Sequence, residues 1–208
     1  MEHAFRCNKM GHGRLHNYVK FAAHKAINQI AAYTGDHVEM EPSLKEYLKS
    51  SPENQREQGG AKNRRGDVGV VDVGQRKTVI IDVRTCAITA DAKNESFVEL
   101  GAKDKREQYA RMYDLPDGVQ LVPFAIDTYG RIGTEFKEWL SGYCKQAARG
   151  NVRLYNNLIT WARNRIEVSV AQGVGSIIQE ALRSCVCAND YMLLCGSRVH
   201  GQARTQTR

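Results

Sequence analysis

Asp67 and Asp82 lie on two neighbouring apolar runs, Arg65-Gly66-Asp67-Val68-Gly69-Val70-Val71-Asp72-Val73 and Thr78-Val79-Ile80-Ile81-Asp82-Val83. The short polar stretch Gly74-Gln75-Arg76-Lys77 separates them, so the pair reads as a β-hairpin. Pairing Val73 with Thr78 sets Asp82 opposite Gly69. Side chains alternate faces along a strand, so Asp67 shares the face of Gly69 and of Asp82. The two carboxylates then become diagonal cross-strand neighbours, roughly 7–8 Å apart at the backbone. A hydrated Mg²⁺-type cation takes one or two carboxylates in such a gap. Asp72 abuts the turn, points to the opposite face and reads as a solvated strand end.

Phosphodiester hydrolysis needs a cation to stabilise charge on the phosphate, an activated water and a positive group near the scissile bond. Asp67 and Asp82 could hold the cation. Arg84 follows Asp82 closely, but arginine stays protonated and is a broad fork, so it replaces a water-orienting lysine poorly. Lys105, in Lys103-Asp104-Lys105-Arg106-Glu107-Gln108-Tyr109, is the better candidate. The competing reading is structural, since aspartates at hairpin ends also serve as plain turn and edge residues.

The elements that must position these groups follow from periodicity. Leu15, Tyr18, Ala22, Ala26, Ile30 and Tyr33 recur at three- and four-residue steps, predicting an amphipathic helix from Arg14 to Tyr33 with Gly35 at its C-terminal cap. Val38 to Pro42 reads as a short strand. The polar stretch 50–65, with Pro52, Gly59 and Gly60, reads as a mobile surface loop. Both hairpin faces carry valine or isoleucine, which implies a sheet covered on both sides, as in α/β domains. A helix over about 96–113, a strand over 119–126 and a helix over about 134–148 come next. Pro123 places that strand at a sheet edge or strand end. Two further helices, about 151–171 and 174–194, precede a tail at 201–208 that reads as disordered.

Bulk properties narrow the class. The chain has 208 residues, 42% of them hydrophobic and 25% charged, a balance suited to a globular fold. No apolar run approaches the ~20 residues of a membrane span, and no signal peptide is legible after Met1. An intracellular, reducing setting is expected, nuclear in a eukaryote and otherwise cytoplasmic. The six cysteines then read as thiols or metal ligands and not as a disulfide framework. Net charge is +7, placed unevenly: residues 145–208 hold 9 Lys/Arg against 3 Asp/Glu, while residues 1–144 hold 21 against 20. A basic end on a near-neutral body suits a polyanion, with DNA the first candidate partner, RNA the second, and no membrane. Arg149, Arg153, Arg163 and Arg165 would grip a phosphate backbone, which carries affinity without sequence choice.

In order along the chain stand His3 and Cys7, Arg14 to Asn17, Glu41-Pro42, Arg65 to Asp67, Asp82-Val83, and Lys105 with Tyr109. This order resembles the restriction-enzyme-like endonuclease region found after the reverse transcriptase in some non-LTR retrotransposons, a member of the PD-(D/E)xK nuclease fold. Leu121 to Gly130 is similar to a Pro-x-(Ala/Val)-x-Glu-Thr-x-Gly block of retroelement-derived proteins. Trp161 to Ile166 and Ser169 to Ala171 resemble their helical end. The resemblance implies an α/β fold with a restriction-endonuclease-like core, a mixed sheet flanked by helices, at 14–148. A basic helical appendage at 149–200 would follow. It also implies a divalent-metal-dependent endonuclease that cleaves or nicks DNA, with Mg²⁺ or Mn²⁺ held by Asp67 and Asp82. Lys105 would be the catalytic lysine displaced onto a helix, His16 a histidine near the cleavage site, and Glu41 an acidic partner at the metal. Three positions depart from the pattern: Gly66 replaces the proline of Pro-Asp, Asp127 stands for glutamate, and Gln108 replaces a lysine. No reverse-transcriptase Asp-Asp motif is present, so the resemblance implies a detached C-terminal piece. The alternative is an inactive nucleic-acid-binding remnant of a reverse-transcriptase-containing polyprotein. His3 and Cys7 match the second half of a zinc knuckle, so residues 1–13 could be a remnant of such a segment, with Zn²⁺ completed by His12 and His16. Cys185, Cys187, Cys195 and His200 form a looser group at no standard zinc spacing.

Overall fold

The computed structural model describes residues 12–48, 65–72, 77–86 and 97–199, of which 12 and 184–199 are described in backbone alone. The expected zinc residues His3 and Cys7, nearly all of the loop at 50–65, the tail at 201–208 and the side chains of the Cys185 group lie outside the described residues.

Four helices and four strands are described. They are α1 (His12–Thr34), β1 (His37–Met40), β2 (Val68–Asp72), β3 (Lys77–Cys86), α2 (Phe97–Met112), β4 (Val119–Asp127), α3 (Thr134–Ala148) and α4 (Val152–Val199). The sheet runs β1-β2-β3-β4, antiparallel at the first two junctions and parallel at the third. The chain is therefore mixed α/β. β4 is an edge strand, which is where Pro123 is tolerated, because the edge leaves one row of backbone groups out of the ladder.

Both faces of the sheet are covered. On one, Val68, Val70, Ile81, Val83, Val122 and Phe124 pack with α1, α3 and α4 in the main core. On the other, Ile80 meets Leu44, Tyr109 and Tyr113, while Ala125 meets Val98 and Ala102 of α2. α1 buries Leu15, Val19, Ala23, Ala26, Ile27 and Ile30 and ends at Gly35. There a φ of +84° lets the Gly35 N–H reach the Ala31 carbonyl at 2.8 Å. α3 starts without a side-chain cap of its own. The Glu99 carboxylate on α2 accepts the Thr134 N–H at 2.9 Å and its hydroxyl at 2.8 Å, so an acid from a neighbouring helix meets the positive end of α3.

Two expectations are corrected. The two helices anticipated after residue 150 are one, α4. Gly173 does not break it, because the glycine serves a close crossing: a Cβ there would lie 2.7 Å from Leu15 Cδ1 and 3.4 Å from the Leu15 Cα. Nor is the first half of α4 an appendage, since Leu158, Ile159, Ala162, Ile166, Val170 and Ile177 belong to the main core. A sharp corner feeds this helix, with Arg149 at φ +47° and Gly150 at φ +86°. The Asn151 Oδ1 then accepts the Leu154 N–H at 3.0 Å as an N-cap.

Candidate active site

The hairpin register differs from the expected one by two residues: Val71, not Val73, faces Thr78, and Val68 faces Ile81. A two-residue offset keeps every side chain on its face, whereas an offset of one would have separated the carboxylates. Asp67, one step before Val68, is thereby brought alongside Asp82, one step after Ile81, and not diagonal to it. The bend that starts β2 is pinned locally. The Asp67 N–H bonds the Ile81 carbonyl at 3.1 Å, and its Oδ2 accepts the Val83 N–H at 2.7 Å.

Gly66 has a structural reason for standing where the resemblance calls for proline. Its N–H donates to the Pro42 carbonyl at 3.0 Å, a bond proline cannot make. A Cβ on Gly66 would also lie 2.6 Å from Ile80 Cγ2. The Pro42 ring covers Gly66 and Gly69, and Glu41, at φ +55°, turns the chain so that it can.

α2 delivers Lys105. Its Gly101 sits so close to β3 that a Cβ would approach Cys86 Sγ to 2.6 Å and Arg84 Cγ to 3.3 Å. One turn later the Lys105 Nζ donates to Asp82 Oδ2 at 2.7 Å. Arg84 instead reaches Asp104 at 3.7 Å, both side chains being about half exposed or more. From the other side of the sheet, α1 brings His16 Nε2 to within 3.0 Å of Asp67 Oδ1. Asp67, Asp82, Lys105 and His16 thus converge, although they come from four elements or their ends.

The two carboxyls are buried and unlike each other. Burial pushes Asp82 up to about 6, with Lys105 opposing the rise and Asp67 adding to it. Burial also acts to raise Asp67, but the hydrogen bond from His16, the neighbouring Asp82 carboxyl, the His16 charge and the Val83 N–H outweigh it, so Asp67 lies below the usual carboxylate range. The pair therefore behaves as one strongly ionised acid beside one that keeps its proton toward neutrality. Sequence reasoning assigned no role to Tyr109. One turn beyond Lys105, its phenol is buried near Asp82, and its ionisation is pushed well above the ordinary range by burial first and Asp82 second. The i, i+4 spacing of Lys105 and Tyr109 was the signal that both face one point.

Other expected residues stand elsewhere. The Glu41 carboxylate is engaged by Lys20 Nζ at 2.6 Å and Arg65 Nη1 at 3.3 Å, and these cations hold it below the usual range. Among the described residues no three His, Cys, Asp or Glu side chains gather as metal ligands do, so Glu41 does not complete a set with the aspartates. Asp72 accepts a hydrogen bond from Gln146 Nε2 at 3.4 Å. Asp127 is fully buried and shapes the turn after β4, accepting the N–H groups of Tyr129 and Arg131 and the Arg131 Nε–H. Arg149, Arg153 and Arg163 are exposed at the α3–α4 corner and along α4, and neither they nor Arg165 bonds the carboxylate pair. No helix among the described residues is long and apolar enough to cross a membrane.

The donor set fits a hard divalent cation. Two adjacent carboxylates supply oxygen ligands, and an ion of the Mg²⁺ class needs only one or two, filling its remaining positions with water and phosphate oxygen. Burial first, and the neighbouring Asp67, make Asp82 a weaker acid than an ordinary carboxyl despite Lys105, and a further positive charge beside the pair would act against that rise. No protein-family model matches the sequence, and no curated protein does.

Proposed function

We propose that the chain is a divalent-metal-dependent endonuclease that cleaves or nicks DNA, on a scaffold of the PD-(D/E)xK type and of retrotransposon origin. The observation that carries the reading is the convergence of Asp67, Asp82 and Lys105, with the ammonium 2.7 Å from Asp82. Asp67 and Asp82 would hold Mg²⁺ or Mn²⁺, which when bound supplies charge stabilisation to the phosphate and a more acidic water. Lys105, whose Nζ lies 2.7 Å from Asp82 Oδ2, would place a positive charge beside the scissile phosphate and orient the attacking water. Tyr109, buried near Asp82, would keep water from that side of the carboxyl. His16 fixes Asp67 and, being about 30% exposed, can also contact an incoming backbone. Lys20 and Arg65 are both paired with Glu41.

The test is nicking of supercoiled plasmid with Mg²⁺ or Mn²⁺ titrated in. The parent chain converts plasmid to open circles only with metal, and Asp67→Ala and Asp82→Asn do not. Cleavage that persists in both variants refutes the assignment. A second reading, an inactive nucleic-acid-binding remnant, is favoured by one feature: Lys105 already neutralises Asp82, and no third acid joins the pair. It expects salt-sensitive DNA binding with no cleavage under any metal.

A further inference from the structure

α1 carries His16 and Lys20 on one flank and Arg14, Tyr18, Phe21 and Lys25 on the other. The second set, spaced four, three and four residues apart, forms a single stripe. α4 runs beside it, and the two helices enclose an open groove of about 950 Å³ to which α4 adds Trp161 and Arg165, one turn apart. Three of the lining side chains are basic and none is acidic, although Arg14 also reaches Glu180 beyond the lining at 3.6 Å. Tyr18 is 40% exposed and Phe21 52%. The Lys20 Nζ stands 5.5 Å from the Phe21 ring, and the Arg165 guanidinium 5.6 Å from the Trp161 ring. Among the described residues, the Arg165 Nε is the one buried side-chain nitrogen or oxygen with no hydrogen-bond partner. A buried donor of this kind is normally satisfied, and an anionic oxygen suits it best.

We propose that this groove binds single-stranded nucleic acid, with bases stacked on Tyr18 and Phe21 and backbone phosphates held by Arg14, Lys25 and Arg165. Open aromatic faces flanked by cations are what an unpaired strand recognises, because its bases present π-faces that a duplex keeps stacked. The chain's net charge of +7 and the absence of acid from the lining disfavour a second copy of the same chain as occupant. The site goes beyond the carboxylate cluster and does not depend on cleavage there.

The experiment is fluorescence anisotropy of a labelled oligothymidylate of roughly 16 nucleotides. It uses the full chain in EDTA, so that no cleavage intervenes, with a duplex of equal length in parallel. Binding is expected to be tighter for the single strand and to weaken steeply with salt. Phe21→Ala and Arg165→Lys should each weaken it by roughly tenfold; the second keeps the charge and removes the Nε donor. Lys137→Gln, an exposed change on α3, should leave it unchanged. The proposal is overturned by absence of binding, by equal binding of the duplex, or by parent-like affinity in variants whose near-ultraviolet circular dichroism shows an intact fold. Self-association abolished by Phe21→Ala without oligonucleotide binding would overturn it as well. Because metal is absent, strand binding can stand while plasmid nicking fails, or fail while nicking stands.

Discussion

At the residue scale the site rests on an imbalance between two adjacent acids. In an unfolded chain an aspartate ionises near ~3.9, whereas Asp82 in the fold does so at about 6. Between these values the folded chain retains a proton that the unfolded chain has released, so this group's contribution to stability falls as pH rises from about 4 to about 6 and is level above. Asp67 works in the opposite sense: its folded value is lowered, so its contribution is lost as pH falls below the ordinary carboxylate range. Asp82→Asn should therefore flatten the loss of metal-free stability between pH 4.5 and 7, measured by urea unfolding at each end. A slope equal to the parent's would show that Asp82 is not the group responsible. Lys105→Met removes the cation that opposes Asp82's rise. It should lower the melting temperature more at pH 7.5 than at pH 5, where the carboxyl can protonate, and should abolish metal-dependent nicking. An equal loss at both pH values would contradict the pairing.

At the element scale, glycines decide how closely helices approach what they serve. Gly173→Ala brings a methyl against Leu15 and Tyr18 at the α1–α4 crossing. The expected cost is about 1–2 kcal/mol, since overpacking outweighs the better helix propensity of alanine. Gly175, two residues on, has open space around it, and Gly175→Ala should be neutral or stabilising by up to ~1 kcal/mol. Chemical denaturation of the two variants separates the effects, and identical shifts would argue against the close crossing. These residues also show what could be read from the chain. The periodicity of α1 was legible because one buried face imposes a repeat, and β2 and β3 were legible as apolar runs because both of their faces are covered. The two helices expected after residue 150 are one, since the glycine between their expected bounds admits a neighbour, and such a glycine looks in one dimension like one that ends a helix. The hairpin register differs from the expected one by two residues because apolar alternation fixes the faces of a pair of strands but not their exact pairing, and the faces are kept because the offset is even.

At the scale of the whole molecule, three helices cover one sheet face and α2 the other, and the cluster forms where the sheet brings both layers to the same pair of strands. Asp67 receives a group from α1 and Asp82 one from α2. Strand pairing alone predicts proximity within the hairpin, whereas the approach of His16 was expected only from the resemblance and that of Tyr109 was signalled only by its spacing to Lys105, because both are set by helix packing. The charge surplus at 145–208 suggested a separate basic unit, yet α4 carries a buried stripe from Leu158 to Ile177 as well as its exposed arginines. A chain ending at residue 150 should accordingly lose cooperative unfolding, because the main core would lie open along α1. A fragment that melts cooperatively at the parent's temperature would show that α4 is dispensable.

The central claim, that Asp67 and Asp82 form a cation site, is tested most directly by Mn²⁺ binding followed calorimetrically or by electron paramagnetic resonance. One ion per chain is expected, lost in Asp82→Asn, with an affinity that falls roughly tenfold per pH unit below about 6 as the proton competes for Asp82. Undiminished Mn²⁺ binding by a protein carrying both Asp67→Ala and Asp82→Asn, or no binding by the parent at pH 7.5, would contradict it.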